Sequence, residues 1–295
     1  MTTSHDPIPA RRHLAPLLVS MGDPCGIGPE ILVAAALRGE LDDAVVVGDV
    51  AILRRAAKAV RRAGRAGPDD GPRLPIAEID GPQDARDVPP GALAVWPLQG
   101  LRLDPQTLPF GQVHADAGRA AALAVRQAAA AVMAGQGAAL VTAPLHKEAL
   151  AAAGEHHPGH TELLAELAGA PGRPADVRMM LANEQLKTVL VTVHCALREA
   201  IERVTFDAVL DTLRIAHRSA AAWGQPRPRI AVAGLNPHAG EGGLFGREEI
   251  ETLAPAIAAA RAESIDASGP HAPDTVFMRA RQGEFDLVLA MYHDQ

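Results

Sequence analysis

The chain has 295 residues, enough for one large or two medium α/β domains. Hydrophobic residues make up 48% and aromatics only 3%, so its core is aliphatic and rich in alanine. A net charge of −7 argues against a nucleic-acid-binding surface, while leaving room for a local cationic pocket.

"HLAPLLVSMGD" reads as a strand entering a turn, and "GIGPEILVAAALRG" as a helix with Pro29 in its first turn. "DDAVVVGD" is a second strand and "VAILRRAAKAVRRAG" a basic amphipathic helix, so the alternation is α/β. From Gly64 to Pro109 the chain is rich in Gly, Pro and Asp and holds short strands such as "ALAVWPL" at 92–98. "ADAGRAAALAVRQAAAAVMAGQ" is a long alanine-rich helix. "GAALVTAPLHKEAL", "LKTVLVTVHCALREA" and "PRIAVAGLNPHAGEGG" each read as a strand followed by a polar loop, and "FDLVLAMYHDQ" repeats the strand. Cys25 and Cys195 lie far apart without metal-type spacing, which suits a reducing cytoplasm better than a disulfide framework. The N-terminus has no signal-peptide pattern, and no stretch reaches the roughly 20 apolar residues of a membrane helix.

Several of these strands end in a cluster of His, Asn, Asp or Lys. In open α/β sheets ligands bind beyond the carboxyl ends of strands. Three such ends carry a histidine: His194 in "VTVHCALRE", His238 in "GLNPHAGEGG" and His293 in "MYHDQ". Taken singly, each is an ordinary polar residue at a loop start. Together they form a candidate three-imidazole set for a catalytic divalent metal. A second group is His160 and Thr161 before "ELLAELAG", where Thr161 is expected to cap a helix whose first amides can meet an anion. His146 and Lys147 add possible positive charge. The glycines of "GDPCGIGPE" do not make a dinucleotide fingerprint and mark a tight turn, with Cys25 a small buried residue in it. "NPHAGEGGLFGREE" reads as a flexible loop with unusual backbone demands.

In order along the chain, "MGDPCGIGPE", "TAPLHKEAL", "PGHTELLAEL", "VTVHCALRE", "GLNPHAGEGGLFGREE", "GPHAPDTVF" and "AMYHDQ" resemble the PdxA family, the 4-hydroxythreonine-4-phosphate dehydrogenases of vitamin B6 biosynthesis. The resemblance implies a two-domain α/β fold similar to isocitrate and isopropylmalate dehydrogenases, with domains at 1–115 and 116–295. It implies a cytoplasmic homodimer with active sites in the interdomain cleft at its interface, and no nucleic-acid or membrane partner. It implies one divalent ion per subunit, zinc, magnesium or cobalt, on His194, His238 and His293, and substrate binding by His160 and Thr161. NAD or NADP is the implied oxidant, with its binding residues unassigned. The implied reaction oxidises 4-phosphooxy-L-threonine, a small phosphorylated hydroxy acid, with decarboxylation to 3-amino-2-oxopropyl phosphate. Asp274 is a candidate catalytic residue for orienting the substrate amine or moving a proton, and Lys147 a weaker one.

In the family the chain continues past "YHDQ", so a C-terminal segment that completes the first domain and carries further substrate contacts is expected to be missing. "HCALRE" departs from the family's proline-containing "HxPLR". That leaves 4-phospho-D-threonate or erythronate dehydrogenases and cis-dihydrodiol dehydrogenases as alternatives, with a metal-binding pseudoenzyme as a third.

Overall fold

The computed structural model describes residues 15–63, 73–157 and 159–295. The N-terminal stretch, including the start of the first expected strand, lies outside the described residues, as do 64–72 of the Gly/Pro/Asp-rich segment and Pro158. The chain divides into two compact units between Asp176 and Val177. Among the described residues no helix is long and apolar enough to cross a membrane.

The first unit alternates strands and helices: β1 (Leu17–Ser20), α1 (Gly28–Leu37), β2 (Ala44–Gly48), α2 (Val50–Ala63), β3 (Ile76–Glu78), β4 (Leu93–Pro97), α3 (Ala115–Met133), β5 (Ala139–Thr142), α4 (Lys147–Ala152) and α5 (His160–Ala168). The strands form one sheet in the order β3-β4-β2-β1-β5, all parallel. Strand β2 is buried at every residue, as a central parallel strand covered on both faces must be. Successive side chains point to opposite faces. Val46 and Val95 pack with Leu32, Ile52 and Leu53 of α1 and α2. Val45, Val47 and Trp96 pack with Ala120, Ala124, Ala128 and Ala131 of α3. Proline at the start of α1 is tolerated because its missing N–H has no helical partner to lose. Helix α2 is capped by Asp49, whose carboxylate accepts the N–H groups of Ala51 at 2.8 Å and Ile52 at 3.1 Å.

The boundary expected after residue 115 is therefore corrected. The alanine face of α3 closes one side of the first sheet. Strand β5 is hydrogen-bonded to β1, with Leu17 opposite Ala139. Residues 116–176 belong to the first unit.

The second unit contains β6 (Met180–Ala182), β7 (Lys187–Leu190), α6 (Leu197–Arg203), α7 (Phe206–Ala220), β8 (Ile230–Ala233), α8 (Ala254–Ala262), β9 (Ala267–His271), α9 (Pro273–Arg281) and β10 (Leu287–Ala290). Its sheet order is β6-β7-β10-β8-β9, parallel apart from the antiparallel edge strand β6. One face carries Val189, Ile230, Val232, Leu287 and Leu289 against α7 and α8. The other carries Ala231, Ala233 and Val288 against Val276 and Ala280 of α9. The chain is thus an α/β protein built on parallel sheets.

Close packing in the first unit depends on Gly118 of α3. A Cβ there would lie 1.9 Å from the Ala149 carbonyl oxygen of α4. Alanine would gain up to about 1 kcal/mol in helix propensity, but an overpacked contact against backbone costs about 1–3 kcal/mol. The clash wins because the α4 backbone cannot rotate away as a side chain could. Gly118→Ala is expected to lower the urea midpoint of unfolding, and an unchanged midpoint would show that α3 and α4 are free to separate.

Candidate functional site

Three neighbouring strands of the second sheet, β7, β10 and β8, run parallel and end at the same edge. His194 follows β7, His293 follows β10 and His238 follows β8. The pairing continues past the strand ends. Val191 N–H donates to the Ala290 carbonyl at 2.9 Å, and the Thr192 hydroxyl donates to the Met291 carbonyl at 2.8 Å. Thr192 is buried, so this bond is shielded from water and fixes one loop against the other. The His194 and His293 rings lie 5.5 Å apart between centroids, tilted by 40°. His293 Nδ1 is 3.3 Å from Asp294 Oδ1, a contact that is worth little because the Asp294 side chain is 94% exposed. The turn after β10 is tied back by Gln295, whose Oε1 accepts the Met291 N–H at 2.7 Å and whose Nε2 donates to the Gly234 carbonyl at 2.5 Å.

His238 sits in a different kind of loop. Residues His238 to Gly242 all have positive φ, between 44° and 79°. His238, Ala239 and Glu241 are not glycines, and each left-handed L-residue costs roughly 1–2 kcal/mol. The unusual backbone demands expected of this loop take the form of a left-handed turn over Pro237–Gly243, with the Ala239 N–H on the Asn236 carbonyl at 3.1 Å and the Phe245 N–H on the Gly240 carbonyl at 3.1 Å. The His238 ring packs 6.2 Å from that of Phe245. It opens on a cavity of about 260 Å³ that Asn236, Asp274 and Tyr292 also line. Asp274 lies in the first turn of α9. His238 and Asp274 thus meet in one cavity, and His194 and His293 meet beside each other. Among the described residues, no group of three or more His, Cys, Asp or Glu is gathered closely enough to hold a metal. Among the described residues the rings of His194 and His238 make ring contacts and find no hydrogen-bond partner, which leaves neutral imidazole nitrogens able to accept a ligand.

The second candidate group lies in the first unit. Helix α5 starts at His160, and its cap position is Gly159, in extended conformation and without a side-chain cap bond. Thr161 is therefore not the cap, as expected from sequence, but an exposed residue of the first turn. His160 Nε2 is buried with no hydrogen-bond partner among the described residues, and burial lowers the ring's pKa below 6.5. Glu166 of α5 contacts the His157 ring, Oε2 to Nε2, at 2.6 Å, which holds the helix to the preceding loop. Lys147 is exposed at the first residue of α4, and His146 precedes it. Cationic side chains at a helix N-terminus are disfavoured by the helix dipole unless an anion is near.

Sequence reading gave no role to Glu249 or His271, and named Tyr292 only as a polar residue of the "YHDQ" end. Glu249, 3% exposed, is a carboxylate bonded into the left-handed turn. Tyr292 lines the cavity beside Asp274. His271, at the end of β9, receives a hydrogen bond on Nδ1 from Arg279 at 3.3 Å, and its Nε2 is 3.0 Å from the Ser268 hydroxyl. That donor on Nδ1 assigns the ring proton to Nε2. Burial first, and then the Arg279 charge, lower its pKa. The only signals available were the "GREE" pair after a glycine-rich loop and a histidine next to a proline. The departure in "HCALRE" proves conformationally mild, because Ala196 has φ −61°, the value that proline would impose.

The model of the family described as "Pyridoxal phosphate biosynthetic protein PdxA" matches residues 40–295. A 4-hydroxythreonine-4-phosphate dehydrogenase of Beijerinckia indica is 50% identical over 282 residues, covering 95% of this chain and 78% of its own. A D-threonate 4-phosphate dehydrogenase of Pectobacterium atrosepticum is 44% identical, covering 95% of this chain and 81% of its own. The crystal structure of 4-hydroxythreonine-4-phosphate dehydrogenase from Klebsiella pneumoniae superposes with a TM-score of 0.84 at 42% identity, over 97% of this chain and 82% of that one. With a family match over most of its length and relatives this similar, the chain belongs to the PdxA family and is an oxidoreductase of the dehydrogenase kind.

Proposed function

We propose that the protein oxidises 4-phosphooxy-L-threonine with NAD or NADP, using a divalent metal, and releases carbon dioxide to leave 3-amino-2-oxopropyl phosphate. The observation that carries this reading is three histidines at the carboxyl ends of three neighbouring parallel strands, in a chain half identical to a relative named for that substrate. When bound, the metal would lower the pKa of the substrate hydroxyl and the nicotinamide would accept the hydride. His194, His238 and His293 would hold the ion as neutral imidazoles. Asp274, in the cavity that His238 opens on, would orient the substrate amine or take up the proton lost in oxidation. His160 and Thr161 would bind the phosphate, and the unpartnered Nε2 of His160 supports this role. Lys147, beside them in sequence order at the start of α4, would add positive charge. The turn from β1 to α1 offers little to a dinucleotide, since its Asp23 carboxylate is buried on the Cys25 N–H at 2.8 Å. The same reading has the protein working as a cytoplasmic homodimer, in keeping with its two free cysteines.

A second reading, oxidation of D-threonate 4-phosphate, is favoured by the 44% identity to a relative of that name. Initial rates of NAD(P) reduction with the two phosphorylated substrates, and with an aromatic cis-dihydrodiol, separate the readings. A higher kcat/KM on 4-phosphooxy-L-threonine is expected, and a preference for either other substrate would overturn the assignment.

His194→Ala, His238→Ala and His293→Ala are each expected to lose bound metal and turnover, because two remaining imidazoles cannot define a stable site. Elemental analysis of the purified variants checks this, and full metal content in His238→Ala would remove that residue from the set.

His160→Ala and Thr161→Val are expected to raise KM for the phosphorylated substrate by about 10-fold or more, from the roughly 1.5–3 kcal/mol carried by a hydrogen bond to a charged group. The same variants should leave KM for the dephosphorylated analogue nearly unchanged. Equal effects on both would assign the pair to the stability of α5.

A further inference from the structure

Glu249 is a buried carboxylate whose hydrogen-bond partners among the described residues include no cation. Its Oε1 accepts the backbone N–H groups of Leu235 and Asn236, both at 2.7 Å, and its Oε2 accepts the Asn236 side-chain amide at 3.0 Å. The same amide nitrogen donates to Glu248 Oε2 at 2.7 Å, so Asn236 is held between two carboxylates. Burying a charge is unfavourable unless its hydrogen bonds are made, and here every partner lies in the two residues that lead into Pro237 and His238. The next residues adopt the left-handed conformation that L-residues avoid. Gly240 closes the turn against the same group, since a Cβ there would lie 2.7 Å from Glu249 Oε2.

We infer that Glu249 is a positioning residue for the metal site: its carboxylate fixes the direction of the chain entering the left-handed turn and so aims the His238 imidazole. This rests on the reading of His238 as a metal ligand. Glu249 touches neither metal nor substrate and acts only through His238. Glutamine cannot replace it, because an Nε2 in place of Oε2 would face the donating Asn236 amide. Flipping that amide would set its oxygen against Glu248.

The test is Co²⁺ titration of the apoprotein, followed by visible absorption, for wild type, Glu249→Gln, His238→Ala and the double variant. Glu249→Gln is expected to bind Co²⁺ about 10–100-fold more weakly, the usual range for a group that orients a ligand, with the circular dichroism of the apoprotein unchanged. The double variant is expected to bind no more weakly than His238→Ala alone, because the effect of Glu249 passes through that ring. Wild-type affinity in Glu249→Gln with weakened binding in His238→Ala overturns the positioning role alone. So does an additive double variant. Wild-type affinity in His238→Ala overturns the metal reading and the inference together. Should Glu249→Gln not fold, Gly240→Ala disturbs the same contact and leaves the carboxylate in place. It too should weaken Co²⁺ binding, and wild-type affinity in it overturns the role.

Discussion

The second unit depends on the parallel pairing of β10 between β7 and β8. Val288 is opposite Thr188 on one side and Ala231 on the other, so the strand is hydrogen-bonded along both edges. Parallel strands share a direction, and their carboxyl ends therefore share an edge. A slip of two residues, the smallest that keeps Val288 and Leu289 on their own faces, would move His293 by about 6–7 Å along the sheet. That exceeds the 5.5 Å between the rings of His194 and His293, so register and histidine pairing stand or fall together. The apolar faces fix the register, and the register brings two of the polar groups together.

Both units solve a loop problem in the same way. Loops between strand and helix leave backbone N–H groups without a ladder partner, and a buried carboxylate takes them. Asp49 accepts from Ala51 and Ile52 at the start of α2 and also from Leu103, far away in sequence, at 3.0 Å. Glu249 does the equivalent for Leu235 and Asn236. In each case one side chain joins the start of a helical segment to a distant loop. Such charges satisfied only by N–H donors are costly to bury, and they persist because leaving several backbone donors unpaired would cost more.

Much of this was legible in the sequence, because strong periodicity and strand-end polarity survive without tertiary context. The alanine-rich pattern found α3, the apolar runs found β1, β2, β4, β5, β7, β8 and β10, and Pro29 marked the start of α1. What failed was what depends on partners. The 115/116 boundary failed because nothing in "GAALVT" says that it pairs with β1, far upstream. Thr161 looked like a cap because Ser and Thr often are, yet Gly159 adopts the extended conformation one position before α5. Strand β6 is three residues long and antiparallel, too short to leave a pattern. Glu249 was invisible because a glutamate in "GREEIE" reads as solvated, and only the fold buries it against the turn before His238.

The burial of His271, and then its contact with Arg279, have an acid-side consequence. The ring is held neutral, with its pKa below the ordinary 6.5. The unfolded chain therefore binds this proton first as pH falls, and protons favour unfolding. The stability that His271 contributes is fully present above about pH 6.5 and is lost as pH falls from there through the lower folded-state value. Protonation would also set an imidazolium against Arg279, the helix residue that anchors the end of β9. Asp274 stands between those two residues in sequence, in the first turn of the helix whose far end carries Arg279, so mild acid acts on the segment that joins β9 to that helix.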